Sequence, residues 1–144
     1  MALRFSHLGI CVSDLEAALR FYRDALGFEV ASELTVKGEP ADTLLRLRDV
    51  ELRAVYLRRD GVTLELLHYA QPGHVGDGSP RAMNALGLTH LSVRVDDLAE
   101  TLAALSARGF AVLRDTRVEN PSLHARAAFV TDPDGTLVEL VEAR

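Results

Sequence analysis

The stretch GLTHLSVRVDD at positions 87–97 decides the fold of this chain, because an earlier stretch, RFSHLGICVSD at positions 4–14, repeats its pattern. Each copy has a short run of alternating character with one histidine in it, His7 or His90. Each run ends at acidic residues that can start a helix. The sequence therefore predicts two related halves, each opening with a strand that carries a histidine.

Two Asp-Gly turns repeat in the same way later in each half. They lead into DGVTLELL from Asp60 and DGTLVELV from Asp134, and both read as strands that follow a tight turn. Each strand carries a glutamate five positions after its aspartate, Glu65 or Glu139. Each half of the chain thus offers one early histidine and one late glutamate.

Bulk composition excludes several classes of protein. A chain of 144 residues with 48% hydrophobic and 26% charged residues suits one compact domain rather than a disordered chain. A formal net charge of -5, with scattered arginines, argues against a nucleic-acid partner. No segment approaches the roughly 20 apolar residues that cross a bilayer, so no membrane partner is expected.

The expected location is the cytoplasm. The single cysteine, Cys11, cannot form an internal disulfide, which favours a reducing compartment. The opening residues MALRFSHLGI become polar too early for the apolar core of a signal peptide.

The first half is predicted to contain a strand, a helix and then about three strands. Alternation over 5–12 predicts a strand with His7 on its less aliphatic face. The motif SDLE predicts a capping box with Ser13 as the N-cap, and Gly27 is expected to end the amphipathic helix. Short strands are predicted at 28–34, 43–47, 51–57 and 62–69.

After a Gly- and Pro-rich segment at 70–85, which predicts a linker or loop, the pattern restarts. The second half is expected to have a strand at 88–95, a helix capped by Asp96 and a helix end at Gly109. Later strands are predicted at 110–114, 124–130 and 136–141.

The two histidines and two glutamates suggest a metal site at His7, Glu65, His90 and Glu139. A lone histidine or glutamate in a strand is more often a packed or solvated residue. However, the flanks LEL and VEL make a buried carboxylate costly unless it is paired or metal-bound. Two imidazoles with two carboxylates suit a divalent transition metal and leave open positions for substrate oxygens.

The segments SHLGICVSDLEAALRFYRDALGFEV, THLSVRVDDLAETLAALSARGF and FVTDPDGTLVELVE resemble the opening and closing modules of the vicinal oxygen chelate superfamily. This superfamily includes glyoxalase I, methylmalonyl-CoA epimerase, extradiol dioxygenases, and fosfomycin and bleomycin resistance proteins. The resemblance implies an α+β fold with two tandem βαβββ modules that form a curved, cup-like mixed sheet, with helices outside. One domain would span 1–144, with module one at about 4–70, a linker at about 71–86 and module two at about 87–144. The first and last strands of each module would be neighbours.

By matching position, the resemblance implies that His7, Glu65, His90 and Glu139 bind one divalent metal ion per site. Nickel, zinc, cobalt, manganese and iron remain open. Glutamate at the second position is similar to bacterial glyoxalase I, whereas epimerases typically have glutamine there. The implied activity is isomerase, epimerase or lyase chemistry on a small oxygenated molecule through a metal-stabilised enolate, with Glu139 or Glu65 moving the proton. The resemblance also implies a homodimer.

Two alternatives stay open at this point. One is a metal-free binding or resistance protein of the bleomycin-resistance type, because superfamily membership does not fix chemistry. The other is an iron(II) ring-cleaving dioxygenase, although dioxygenases of this superfamily use two histidines and one glutamate. Candidate residues for the wall of a substrate pocket are Tyr56, Tyr69, Met83, Asn84 and Phe129.

Overall fold

The computed structural model describes residues 1–143 and divides the chain into two compact units, Met1–Gly76 and Asp77–Arg144. Each unit contains a four-stranded mixed sheet with a helix between its first and second strands. The α+β fold class and the repeated βαβββ order are therefore confirmed. No helix within residues 1–143 is long and apolar enough to cross a membrane.

The first unit has strand order β1-β4-β3-β2, with β1 parallel to β4 and the other neighbours antiparallel. Its elements are β1 (Leu8–Cys11), α1 (Leu15–Leu19), a π-helical continuation (Arg20–Ala25), β2 (Glu29–Lys37), α2 (Ala41–Leu45), β3 (Glu51–Arg59) and β4 (Val62–Gln71).

The second unit repeats this topology with strand order β5-β8-β7-β6, and β5 is parallel to β8. Its elements are β5 (His90–Arg94), α3 (Leu98–Ala107), β6 (Val112–Asn120), a 3-10 turn (Pro121–Leu123), β7 (Ala125–Thr131) and β8 (Leu137–Ala143). In both units the first strand lies beside the last one, as the resemblance implies.

Alternation in the last strand of each unit separates the core from the opposite face of the sheet. Leu64 and Leu66 in β4 are fully buried, and so are Val138 and Leu140 in β8. Side chains of successive strand residues point to opposite faces, so Glu65 and Glu139 lie on the face away from this core. Burial of the aliphatic neighbours thus fixes which way each glutamate points.

Both helices begin one residue later than the sequence analysis predicts. Asp14, not Ser13, is the N-cap of α1, since its Oδ1 accepts a hydrogen bond from the Ala17 amide at 2.9 Å. Asp97, not Asp96, caps α3 in the same way. Both caps have the extended backbone from which an aspartate reaches the third helical amide. The helix ends are as predicted, with Gly27 and Gly109 at φ 73° and 84°.

The predicted strand at 43–47 is wrong, because this segment forms the short helix α2. Its polar side chains accept hydrogen bonds from backbone amides in and after the segment. The Asp42 carboxylate accepts hydrogen bonds from the amides of Asp49 and Val50, and the Glu39 carboxylate accepts from the Thr43 amide. Such side-chain bonds to the backbone compete with the ladder bonds of a strand.

Candidate metal centre

In the first unit, the structure brings His7 and Glu65 together. His7 directly precedes β1, and Glu65 lies in the neighbouring strand β4, opposite Gly9. The His7 Nε2 atom is 3.0 Å from Glu65 Oε2, and the Glu65 side chain is only 13% exposed. The imidazole nitrogen of His7 and the carboxylate oxygen of Glu65 therefore point toward the same small region of the sheet face.

The second unit holds the equivalent pair. His90 opens β5, and Glu139 lies in the adjacent β8, opposite Ser92. The His90 Nε2 atom is 3.8 Å from Glu139 Oε2, and the two side chains are 30% and 29% exposed. The second pair is therefore looser than the first, and its carboxylate is more accessible.

A hydroxyl group orients each histidine from the other side of its ring. Ser6 Oγ is 2.8 Å from Nδ1 of His7, and Thr89 Oγ1 is 2.8 Å from Nδ1 of His90. In the neutral tautomer protonated at Nδ1, the ring donates to the hydroxyl oxygen, and the lone pair of Nε2 is available to a metal. Outer hydrogen bonds of this type fix the orientation and tautomer of ligating histidines.

Tyr56 holds Glu65 from the neighbouring strand β3. The two residues lie opposite each other across β3 and β4, and the Tyr56 hydroxyl donates to Glu65 Oε1 at 2.5 Å. The Tyr56 ring also meets the His7 ring edge to face, with centroids 5.4 Å apart. The hydrogen bond to Glu65, together with burial, raises the pKa of Tyr56 to about 12. The phenol thus stays protonated at neutral pH and remains a donor.

In the second unit, the hydroxyl group that holds the glutamate comes from the other neighbouring strand, β5 rather than β7. Phe129 occupies the position that corresponds to Tyr56, opposite Glu139, and makes the same edge-to-face contact with His90 at 5.5 Å. Ser92 Oγ instead donates to Glu139 Oε2 at 2.8 Å. Glu139 Oε1 accepts no hydrogen bond from any described residue.

The donor chemistry of both pairs fits a divalent transition metal, since each pair brings an imidazole nitrogen close to a carboxylate oxygen. Across residues 1–143, no group of three or more His, Cys, Asp or Glu side chains is close enough to hold a metal ion. The structure thus presents the four predicted residues as two pairs, one in each unit.

The hydroxyl partners of these pairs were not predicted from the sequence, although their signals are present. Ser6 and Thr89 each directly precede a histidine. Asp60-Gly61 forms a two-residue turn with both φ angles positive, which sets Arg59 opposite Val62. Counting back from that turn places Tyr56 opposite Glu65. Tyr56 was predicted only as a possible wall residue, and its hydrogen bond is a new finding.

Comparison with known proteins agrees with this fold. The family model of the Glyoxalase/Bleomycin resistance protein/Dioxygenase superfamily matches residues 4–140. The uncharacterised protein YaeR of Escherichia coli (strain K12) is 32% identical over 136 residues, which cover 94% of this chain and 93% of YaeR. The ethylmalonyl-CoA/methylmalonyl-CoA epimerase of Cereibacter sphaeroides is 30% identical over 145 residues, covering 95% and 96% of the two chains.

A solved structure shows the same fold. The glyoxalase family protein from Bacillus cereus superposes with a TM-score of 0.84 at 21% identity, covering 99% of this chain and 95% of that one. Two four-stranded mixed sheets with the same topology, matched by the family model over most of the chain, define a duplicated glyoxalase-type protein. This chain belongs to the Glyoxalase/Bleomycin resistance protein/Dioxygenase superfamily.

Proposed function

We propose that this protein is a divalent-metal-dependent enzyme that acts on a small oxygenated molecule by isomerase, epimerase or lyase chemistry. The observation that carries the proposal is the duplicated pair, in which each histidine directs Nε2 toward a glutamate while a hydroxyl group holds Nδ1. His7, Glu65, His90 and Glu139 would together be the metal ligands. The epimerase activity named for the Cereibacter sphaeroides relative supports chemistry of this class.

The two glutamates are expected to have different roles. A bound divalent ion would polarise the oxygens of the substrate and stabilise the negative charge that develops when a neighbouring proton is removed. Glu65 Oε1 accepts a hydrogen bond from Tyr56, and Glu65 Oε2 lies 3.0 Å from His7 Nε2. Glu139 has one oxygen without a hydrogen bond among the described residues and a more exposed side chain. We therefore assign proton transfer to Glu139, with Glu65 as the second choice.

Metal content tests the ligand assignment. Wild-type protein incubated with nickel, zinc, cobalt, manganese or iron is expected to retain about one ion per four-residue site after desalting. The variants His7→Ala and His90→Ala, one from each pair, should both lose most of that metal. Mass spectrometry of the purified proteins measures it. His74→Ala is the matched control, because His74 is exposed in the segment between β4 and β5.

If wild-type protein takes up none of the five metals, the enzyme proposal fails and a metal-free binding protein becomes the better hypothesis. If only one of the two histidine variants loses metal, the ion is held by one pair alone, and the four-ligand assignment is wrong.

We also propose that the two units form one domain and that the chain is a cytoplasmic homodimer, with each four-residue site built within one chain.

Mixing His7→Ala/Glu65→Gln protein with His90→Ala/Glu139→Gln protein tests whether the site is built within one chain or shared between two. A site within one chain leaves every mixed dimer inactive, so no metal binding should return after the two proteins are unfolded and refolded together. A site shared between chains would instead regain one intact set in each mixed dimer. Light scattering checks that the refolded protein is dimeric, and capture through an affinity tag on one of the two variants checks that mixed dimers form.

A further inference from the structure

Equivalent positions in the two units differ on the sheet faces that carry the His–Glu pairs. Gly9 and Tyr56 of the first unit correspond to Ser92 and Phe129 of the second, and both exchanges still leave each glutamate with one hydroxyl donor. A third exchange has no such compensation. Arg94 in β5 occupies the position that Cys11 has in β1.

Arg94 lies on the same face of its sheet as Glu139. Ser92 is opposite Glu139 in the neighbouring strand and its hydroxyl bonds to that carboxylate, which fixes the direction in which Ser92 points. Arg94 is two residues further along β5, so it points to the same face, about 7 Å along the strand. A guanidinium group on its flexible stem can therefore reach a molecule bound at Glu139.

No described residue neutralises Arg94. Its side chain is exposed and forms no ion pair or hydrogen bond with any part of residues 1–143. Of the nearby carboxylates, Asp97 caps α3, and Glu142 binds the Leu98 amide and Arg126 on the opposite face. The exposed Asp96 forms no ion pair with Arg94. Within this unit, the strand positions on the face of His90 and Glu139 thus offer one unpaired cation.

The surroundings of Arg94 on this face are apolar. Arg94 pairs with Val141 of β8, which pairs with Ala127 of β7, which in turn pairs with Val118 of β6. The corresponding row in the first unit is Cys11, Leu67, Ala54 and Leu34, which is apolar throughout. The row through Arg94 therefore carries a positive charge that the row through Cys11 lacks. The first unit has an exposed cation on this face, Arg58, but it lies opposite Thr63, on the other side of Glu65 along the strand.

We propose that Arg94 forms an anion-binding subsite that orients the substrate. The substrate would then carry vicinal oxygens at one end and a carboxylate or phosphate at the other. A guanidinium fork binds either group through paired charge-assisted hydrogen bonds. This inference rests on the proposed function for the position of the oxygen-bearing end, but the charge preference depends on Arg94 itself.

Probe acids that share a 2-hydroxy acid head test the subsite. Calorimetry on metal-loaded protein compares 2-hydroxyglutarate, which has a distal carboxylate, with 2-hydroxypentanoate, which lacks it. Wild type is expected to bind 2-hydroxyglutarate at least about tenfold more tightly, because a bond to a charged group is lost in the other probe. Arg94→Gln should bring the two affinities together without changing metal content, and Arg94→Lys should keep part of the preference. Adding 3-phosphoglycerate shows whether phosphate is preferred to carboxylate.

Arg114→Gln is the matched control, because Arg114 lies on the other face, in a groove with Leu102 and Ser106 of α3, and should keep the wild-type preference. Equal binding of the two probes by wild type, or a preference that survives in Arg94→Gln, would overturn the subsite.

The experiment distinguishes failure of the Arg94 subsite from failure of the proposed function. Metal uptake that depends on His7 and His90, with no preference for the distal charge, removes only the subsite. A preference that Arg94→Gln abolishes in protein that takes up no metal removes only the enzyme proposal.

Discussion

Replacing Glu139 by glutamine is expected to lower turnover by about 10²- to 10⁴-fold, the contribution typical of a positioned acid-base group. Glutamine keeps an oxygen that can bind a metal, but its amide cannot accept the proton. Glu65→Gln should cost at least about ten times less, because Glu65 is held by Tyr56 and His7 and is not assigned the proton transfer. The measurement is kcat on an identified substrate at saturating metal, with metal occupancy determined in the same samples.

Glu100→Gln provides the control for this comparison, since Glu100 is exposed in the first turn of α3. It should leave kcat unchanged. Full turnover in metal-loaded Glu139→Gln protein would show that the base assignment is wrong. If Glu65→Gln is the more damaged variant, the roles of the two carboxylates are reversed.

Most of the fold could be predicted from the sequence because its signals are local and occur twice. Alternation, Asp-Gly turns and helix-ending glycines each depend on a few neighbouring residues, and a second copy of each supports the first. The segment that forms α2 escaped prediction because its helical form depends on Asp42, whose carboxylate binds amides seven and eight residues later. Secondary-structure propensities taken over a few neighbouring residues do not include hydrogen bonds to residues seven or eight positions away.

The His–Glu pairs could be predicted because strand alternation fixes which face each residue occupies, and the two halves agree. The hydroxyl groups that hold the two glutamates were harder to predict. Ser92 and Tyr56 each donate a hydrogen bond to the glutamate of their unit, but they lie in strands on opposite sides of the glutamate strand. A position-by-position comparison of the two halves therefore does not show that the two hydroxyl groups have the same role. Only the strand order, with the glutamate strand in the middle, shows that both can reach it.

Tyr56→Phe is expected to weaken metal binding by about 10- to 100-fold, the usual effect of removing a hydrogen bond that orients a ligand. The Tyr56 hydroxyl donates to Glu65 Oε1 at 2.5 Å and so restrains a carboxylate that is mostly buried. Phenylalanine should preserve the fold and the ring contact with the histidine, because the second unit already has Phe129 against His90 at the equivalent position. Competition with a chelator of known affinity measures the change, and circular dichroism checks folding.

Tyr69→Phe separates the hydroxyl effect from general loss of a phenol. Tyr69 lies in β4, an even number of residues from Glu65 and hence on the same face, yet it forms no hydrogen bond with that glutamate. Its variant should bind metal as wild type does. Ser92→Ala should weaken binding in the same direction as Tyr56→Phe, because it removes the one hydroxyl that holds Glu139. Unchanged affinity in both Tyr56→Phe and Ser92→Ala would mean that the glutamates find their ligating positions without these hydroxyls, and that the metal alone orients them.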